Sequence, residues 1–349
     1  MEIKEKIKNA LCIFVSLCIV AVSVFCVSKR VGDCFSFSQD TALMAAFSIM
    51  PNGSIQKKDS TINKQNKPKA EQTKDYQQNE VEDKAPKTGE QTYPINEIDL
   101  SVDKKSDNSI SIRNSTPFDP DIEGILSSKL GFEIEDTYQV QVLIVHTHTC
   151  ESYMSEDNGY YYESFYPRTT DNNKNVYAVG ERIAKKLKAN GIGVVHAKEQ
   201  HDSPSYDGAY SRSYDTITRY MKKYKGIKVV LDIHRDSMTQ QDNTKLKPTF
   251  EYNGKKGAQV MIMTGYDDGY NDFPTWEQNL TFATKLQHQC ESMYKGMMRP
   301  LNFGNFTYNM NVNSGSLLIE MGTDANTLQE AMYSADLLGN ALSQVLQNA

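Results

Sequence analysis

Short apolar runs alternate with stretches of helical spacing from residue 139 to the end of the chain, and this alternation constrains the fold most strongly. The runs predict strands because they are brief and are bounded by turn residues. They lie at 139–145, 192–197, 227–233, 258–265 and 316–322. Apolar residues at helical spacing predict helices at 174–190, 210–224, 276–293 and from about 326 onward. Strand–helix alternation of this kind predicts an α/β fold, with a largely parallel (mixed) sheet covered by helices on both faces.

The N-terminal part has a different composition. Residues 10–28 form an uncharged apolar run that Lys29 and Arg30 follow. At about 1.5 Å per residue this run is long enough to cross a bilayer. The alternative is a cleaved signal peptide, whose apolar region is usually shorter, about 7–15 residues. We therefore expect residues 1–34 to contain an uncleaved transmembrane anchor. Residues 35–50 fit either a short helix on the membrane surface or a weakly ordered continuation.

Residues 51–117 are rich in Lys, Gln, Asn and Glu and contain few large apolar side chains. Such a segment cannot bury enough surface to offset its ordering entropy, so we expect a disordered tether. The folded, catalytic domain is then expected to span residues 118–349. The chain has a formal net charge of −6. No nucleic-acid partner is expected, because a phosphate-binding surface needs clustered positive charge.

Six cysteines do not make a disulfide framework, since four of them lie in or just beyond the N-terminal apolar run. Only Cys150 and Cys290 remain for the folded domain. Nothing in their spacing brings them together, and whether they pair stays open at this point.

Polar residues that can do chemistry gather at the carboxyl ends of the predicted strands, where α/β sheets bind ligands. They are His146 and His148 after the first strand, Glu151 in the loop beyond, His234 after the third and Glu320 in the last. Imidazoles with a carboxylate have the composition of a catalytic zinc site. Hydrolysis also needs a carboxylate that does not bind metal and can take a proton. The simpler interpretation is that a histidine at a strand end is only hydrogen-bonded there.

Five segments, HTHTCESY, YPRTTDNNKNVYAVGERIAKKLKANGIGV, HDSPSYDGAYSRS, VVLDIHRDS and LLIEMGTDANTLQEA, resemble the stage II sporulation protein P family in this order. These are membrane-anchored cell-wall hydrolases of endospore-forming bacteria. The resemblance covers about residues 138–345. The domain is also similar to zinc-dependent N-acetylmuramoyl-L-alanine amidases, which implies a zinc-amidase-like fold and a bound Zn²⁺.

Site residues follow from this resemblance. It implies that Glu151, His234 and one of the pair His146 and His148 bind the metal, and that Glu320 is the catalytic base. We favour His148, because amidases place this histidine in a loop a few residues past the strand. His146 would then support the ligands or face the substrate. Arg235, which follows His234, is expected to contact a stem-peptide carboxylate.

The resemblance further implies metal-assisted hydrolysis of peptidoglycan at the amide between muramic acid and the stem peptide, with peptide cross-links as a further substrate. It implies two partners, stage II sporulation protein D, a lytic transglycosylase, and stage II sporulation protein M, a membrane protein. The expected location is the cell membrane at the sporulation septum, with a single span and the catalytic domain on the wall side, where it acts during engulfment.

Two other functions fit part of the sequence. A wall deacetylase would share the metal ligands and release acetate. A catalytically inactive wall-binding or scaffold module would need neither the histidines nor Glu320. Glu320 stands in a buried run, where a carboxylate must be paired or coordinated.

Overall fold

The computed structural model describes residues 89–101, 110–135 and 139–348. Its strands are β1 (Thr92–Ile98), β2 (Ile112–Asn114), β3 (Val140–Val145), β4 (Tyr160–Tyr162), β5 (Gly193–His196), β6 (Val229–Asp236), β7 (Lys245–Tyr252), β8 (Lys255–Ala258), β9 (Val260–Gly265), β10 (Leu301–Gly304) and β11 (Ser316–Thr323). Its helices are α1 (Ile122–Ser127), α2 (Val176–Ala189), α3 (Ala209–Lys223), α4 (Trp276–Met293) and α5 (Leu328–Gln347), with a 3₁₀ turn at Met310–Val312. Every strand and helix that we expected after residue 139 is present, with ends that differ by at most a few residues.

A seven-stranded sheet forms the centre of the domain, in the order β2-β10-β9-β11-β6-β3-β5. The four strands β11, β6, β3 and β5 are parallel to one another. Strand β9 pairs antiparallel with β11, and β10 and β2 follow the direction of β9. The α/β class and the mixed sheet are confirmed, but three of seven strands run opposite to the other four. Strand direction depends on the connections, which apolar periodicity does not report.

Different helices pack against the two faces of the sheet. Residues 142 and 144 of β3 and 231 and 233 of β6 share one apolar core with α2, α4 and α5; we call this side the α2 face. Residues 143 and 145 of β3 and 230 of β6 pack with Ile217 of α3; we call this side the α3 face. Because side chains alternate along a strand, the face of each polar residue at a strand end follows from its number.

A second sheet has the order β4-β1-β7-β8. Strand β1 lies between antiparallel β4 and parallel β7, and the Asn253–Gly254 turn, with φ of 49° and 67°, joins β7 to β8. Both β1 and β2 fall within 51–117, so the expected tether ends earlier than we placed it and the domain begins before residue 118. The composition of β1 did not predict a strand. Its backbone is held by pairing with β4 and β7, which are distant in the sequence.

The expected anchor at 10–28, the segment 35–50 and most of the expected tether lie outside the described residues. Within 89–101, 110–135 and 139–348, no helix combines the length and apolar character that crossing a membrane requires. Cys150 and Cys290 are both buried and free, so the pairing left open by the sequence is absent.

Candidate active site

The three strands that carry candidate residues are neighbours in the sheet, in the order β11-β6-β3. Glu320 of β11 lies beside His234 of β6 in the strand register. Residues in register on adjacent parallel strands share a face, so both side chains belong to the α3 face. His148 and Glu151 come from the turn that follows β3. The fold therefore brings His148, Glu151, His234 and Glu320 to one edge of one face.

His234 lies between two carboxylates. Its Nδ1 atom is 3.4 Å from Oε2 of Glu151, and its Nε2 atom is 2.9 Å from Oδ1 of Asp232. Nε2 is buried, and its ring N–H is not aligned for a hydrogen bond. Burial opposes protonation of His234, but the charge of Asp232 and contacts with both carboxylates raise its pKa well above the usual value. The two carboxylates therefore stabilise a cation at His234; this is a proton on the free ring, and a bound metal ion would take the place of that proton.

Glu151 is held as an anion. It is buried, and its Oε2 atom also accepts a hydrogen bond from the backbone N–H of Arg235, at 3.1 Å. Burial opposes ionisation, but the side-chain hydrogen bond with His234 and the charge of that ring outweigh it and lower the pKa of Glu151 to about 2. An ionised carboxylate beside an imidazole is a suitable pair of ligands for a divalent cation.

His148 has aromatic neighbours. Its ring stacks on Tyr206 at 4.4 Å between centroids and meets the edges of Tyr210 and His234 at 5.4 and 5.3 Å. The Nδ1 atom is buried without a hydrogen-bond partner, and the nearest carboxylate, that of Asp202, is 4.0 Å away. Burial lowers the pKa of His148 to about 4, so the ring is neutral near pH 7, as a metal ligand must be.

Glu320 is 9 % exposed, and its Oε2 atom is buried without a hydrogen-bond partner. Burial, together with the nearby carboxylate of Asp236, raises the pKa of Glu320 to about 8. Asp236 is itself paired with Arg299 at 2.8 Å. Glu320 is thus a carboxyl group that can both accept and release a proton near neutral pH.

His146 does not join this group. As residue 146 it continues the 142, 144 series and lies on the α2 face. Its Nδ1 atom donates to the carbonyl oxygen of Ile233 at 2.8 Å, and its Nε2 atom lies 2.8 Å from Nε2 of His196. Both ring nitrogens are engaged, and an added Cβ at Gly180 would come within 2.7 Å of the ring. The interpretation of His146 as a metal ligand is not supported, and neither is a substrate-facing role.

Arg235 also lies on the α2 side of β6, one residue away from His234. Its Nε and Nη2 atoms donate to the carbonyl oxygens of Ser152 and Pro167 at 3.0 and 2.7 Å. The side chain is 7 % exposed. A buried guanidinium bound to two carbonyls supports the loop that carries Glu151, so the expected contact with a substrate carboxylate is not supported by the structure.

Two buried aspartates near the site were not identified from the sequence. Asp232 accepts hydrogen bonds from the N–H and the hydroxyl of Thr147, at 2.8 and 2.6 Å. Asp202 accepts from the N–H of Cys150 and pairs with Arg168. Asp232 stands two residues before His234, and that spacing on a strand places both on one face; this signal was available. No comparable spacing in the sequence predicts that Asp202 lies near the site, because it belongs to the loop after β5.

The types of residue in the site suit a zinc ion, although the distances between them are not yet those of a formed zinc site. No trio of His, Cys, Asp or Glu among the described residues is arranged closely enough to count as a formed metal site. Two atoms bound to one tetrahedral zinc at about 2.0–2.2 Å are separated by about 3.4 Å. The pair His234 Nδ1 and Glu151 Oε2, 3.4 Å apart, matches this separation. With the unpartnered Nδ1 of His148 nearby, the chemistry of the residues fits the metal.

The fold and the site together define an α/β domain with a His/Glu centre at the carboxyl ends of three adjacent strands. A family model described as stage II sporulation protein P matches residues 34–343. The chain belongs to the stage II sporulation protein P family. This confirms the resemblance that the sequence motifs carry.

A curated relative with the same description, from Bacillus subtilis (strain 168), is 26% identical over 219 residues. The match covers 60% of this chain and 51% of the relative, so the chain spans about half of that protein's length.

Solved structures similar to the chain include two amidases. One is the N-acetylmuramoyl-L-alanine amidase from Clostridium difficile 630, with 17% identity, a TM-score of 0.36, and coverage of 61% of this chain and 97% of that chain. Another is the catalytic domain of CwlV, an N-acetylmuramoyl-L-alanine amidase from Bacillus (Paenibacillus) polymyxa var. colistinus, with 11% identity, a TM-score of 0.31, and coverage of 60% and 95%.

Proposed function

We propose that the domain hydrolyses peptidoglycan at the amide between muramic acid and the stem peptide, with Glu320 as the general base at a zinc centre. The observation that supports this most is the position of Glu320. It lies in register beside His234, on the same face, with a buried carboxylate oxygen that no described group satisfies. A buried unpartnered carboxyl group is costly to maintain and is typical of catalytic sites.

His148, Glu151 and His234 are the residues that would hold the metal. When bound, a zinc ion would supply Lewis acidity at the scissile carbonyl. Asp232 would fix the ring of His234 from the side opposite Glu151, as carboxylates commonly do for metal-bound histidines. Glu320 would take the proton released by the attacking water and deliver it to the leaving amine.

Other parts of the proposal rest on the family alone. The expected anchor at 10–28 and the segment up to the domain would keep the enzyme at the membrane, within reach of the wall on its outer side. Stage II sporulation proteins D and M are the proposed partners at the sporulation septum, and peptide cross-links are the proposed further substrate.

The decisive experiment uses the full chain, purified in detergent and incubated with peptidoglycan, with and without a chelator. Products are identified by mass spectrometry. Free stem peptides that disappear on chelation and in Glu320→Gln, but persist in a control Glu277→Gln on the exposed start of α4, support the amidase. Released acetate would instead indicate a deacetylase. Intact wall that still binds the protein, with zinc supplied, would indicate an inactive binding module.

A further inference from the structure

Tyr210 stands at the centre of the site, although the sequence suggests only that it belongs to the packing face of a helix. It is the second residue of α3, directly after the helix start. Its ring meets the edge of His148 at 5.4 Å and stacks on Tyr308 at 5.2 Å between centroids. Its position is therefore set by one proposed metal ligand on one side and by a second aromatic ring on another.

Strained backbone supports this arrangement. Tyr308 and Asn309 both have left-handed φ angles, of 40° and 60°. Asn309 donates a side-chain hydrogen bond to the carbonyl oxygen of Tyr210 at 2.9 Å, and another to the hydroxyl of Ser213, also at 2.9 Å. Two adjacent non-glycine residues in this region are costly, and such strain tends to collect at functional sites. The effect here is to fix the backbone at the start of α3, from which the Tyr210 side chain extends.

The Tyr210 hydroxyl has spare hydrogen-bonding capacity. Among the described residues the hydroxyl has no hydrogen-bond partner, and the residue is partly buried. The carboxylates that act on it most strongly are those of Asp232, Glu320 and Glu151. A neutral O–H donor thus faces a site whose other polar groups are mainly carboxylate acceptors and imidazoles.

Tyr206 is the obvious competitor, because it also contacts His148. One face of its ring covers His148 at 4.4 Å, and the Arg168 guanidinium lies 5.0 Å from its centroid. Tyr206 precedes α3 and its ring lies between His148 and the Arg168 side chain of the loop that follows β4. Tyr210 belongs to α3, the helix that covers the face on which His234 and Glu320 lie. Tyr210 is therefore the tyrosine that the fold places on the face of the proposed base.

We infer that Tyr210 is a further catalytic residue, whose hydroxyl donates a hydrogen bond to the scissile carbonyl oxygen as that oxygen gains negative charge. The inference rests on the proposed hydrolysis. Donors aimed at a developing oxyanion act in the transition state more than in the bound substrate, so their removal lowers kcat more than it raises KM.

The test replaces Tyr210 by Phe in the full chain, which keeps both ring contacts and removes only the hydroxyl. We expect kcat for stem-peptide release to fall about 100-fold or more, with KM changed less than about threefold and with bound zinc per chain unchanged by metal analysis. Tyr214→Phe, the same change one turn further along α3 on a half-exposed ring, is the matched control and should retain full activity.

The outcomes separate this inference from the proposed function. An inactive wild type removes the proposed function itself. If the wild type is active, an unchanged kcat in Tyr210→Phe, or loss in Tyr206→Phe without loss in Tyr210→Phe, overturns the inference. Loss of bound zinc in Tyr210→Phe would also overturn it, since the tyrosine would then act by holding His148 in place.

Discussion

The two faces of the sheet carry the same kinds of residue at the same strand ends and use them differently. On the α2 face, the side-chain nitrogens of His146 and Arg235 are hydrogen-bonded to backbone carbonyls and to His196. On the α3 face, His148, His234 and Glu320 each keep a buried polar atom without a hydrogen-bond partner. The comparison teaches that residue type and strand position alone do not identify an active site. Among these strand-end residues, unsatisfied hydrogen-bonding capacity separates the proposed site on the α3 face from the residues on the α2 face.

The largest expected effect is on the α3 face, at the proposed base. Glu320→Gln keeps the side-chain volume and removes the ability to accept a proton, so we expect kcat to fall about 10²–10⁴-fold. The thermal unfolding midpoint should fall little or rise, because a buried ionisable group is replaced by a neutral one. Stopped assays of stem-peptide release measure the first effect, and circular dichroism measures the second. Retention of more than half of the wild-type kcat would rule out Glu320 as the base.

A smaller effect, on zinc affinity, is expected at Asp232, whose carboxylate lies next to the His234 ring. Asp232→Asn should weaken zinc affinity about 10–100-fold, because the carboxylate next to the ring of a metal ligand fixes its orientation and basicity. Competition with a zinc chelator measures the affinity. Asp336→Asn, which removes a surface ion pair with Arg182, is the control. Equal affinity in both variants would mean that Asp232 serves only Thr147.

The matched histidine pair tests the contrast between the faces directly. His146→Ala should lower the free energy of unfolding by about 1–3 kcal/mol, because the Ile233 carbonyl and His196 lose a buried partner, while zinc binding persists. His148→Ala should abolish tight zinc binding at a smaller cost in stability. Denaturant titration and metal analysis are run on both variants. Zinc loss in a folded His146→Ala protein would reverse our assignment of the two histidines.

A pH dependence of stability is expected on the α2 face, spread over several pH units. Burial, aided by Lys188 and Lys198, lowers the pKa of His196 from 6.5 to about 3. The unfolded chain therefore binds the proton more readily, and stability is intact above about pH 6.5 and falls as the pH drops toward 3. The expected slope is about 1.4 kcal/mol per pH unit for one histidine.

His196→Gln should remove that share of the slope. The side chains that face His196 are His146, Glu181 and Tyr177. Burial and then the charge of His196 lower the pKa of His146, so the change in slope includes the response of His146. Urea titrations between pH 4 and 7.5 give the slope. An unchanged slope would show that His196 is not held neutral in the folded protein.

The sequence predicted β3, β5, β6, β9 and β11 and the helices α2 to α5, because each apolar pattern is long enough to be recognised by itself. It did not predict helix α1 or the strands β1, β2, β4, β7, β8 and β10. Strand β1, for example, is stabilised by pairing with β4 and β7 and not by its own composition. The reversed direction of β9 escaped for a similar reason. Glu151, His148, His234 and Glu320 were proposed as site residues from strand ends and family motifs, and the structure brings them to one edge of the sheet.

Alternation places His146 on the face of residues 142 and 144, and the turn after β3 takes His148 out of that series. The same alternation places Arg235 on the face opposite to His234. Asp202 and Tyr210 required the fold, since each reaches the site from an element that is far away in the sequence.

The most direct test of the contrast between the faces is a crystal structure of the zinc-loaded protein with anomalous diffraction at the zinc edge. Our account predicts one strong anomalous peak on the α3 face, about 2.0–2.2 Å from ligand atoms of His148, Glu151 and His234, with Glu320 nearby and unbound. A peak coordinated by His146, or no peak at this edge of the sheet in a protein that cleaves peptidoglycan, would contradict it.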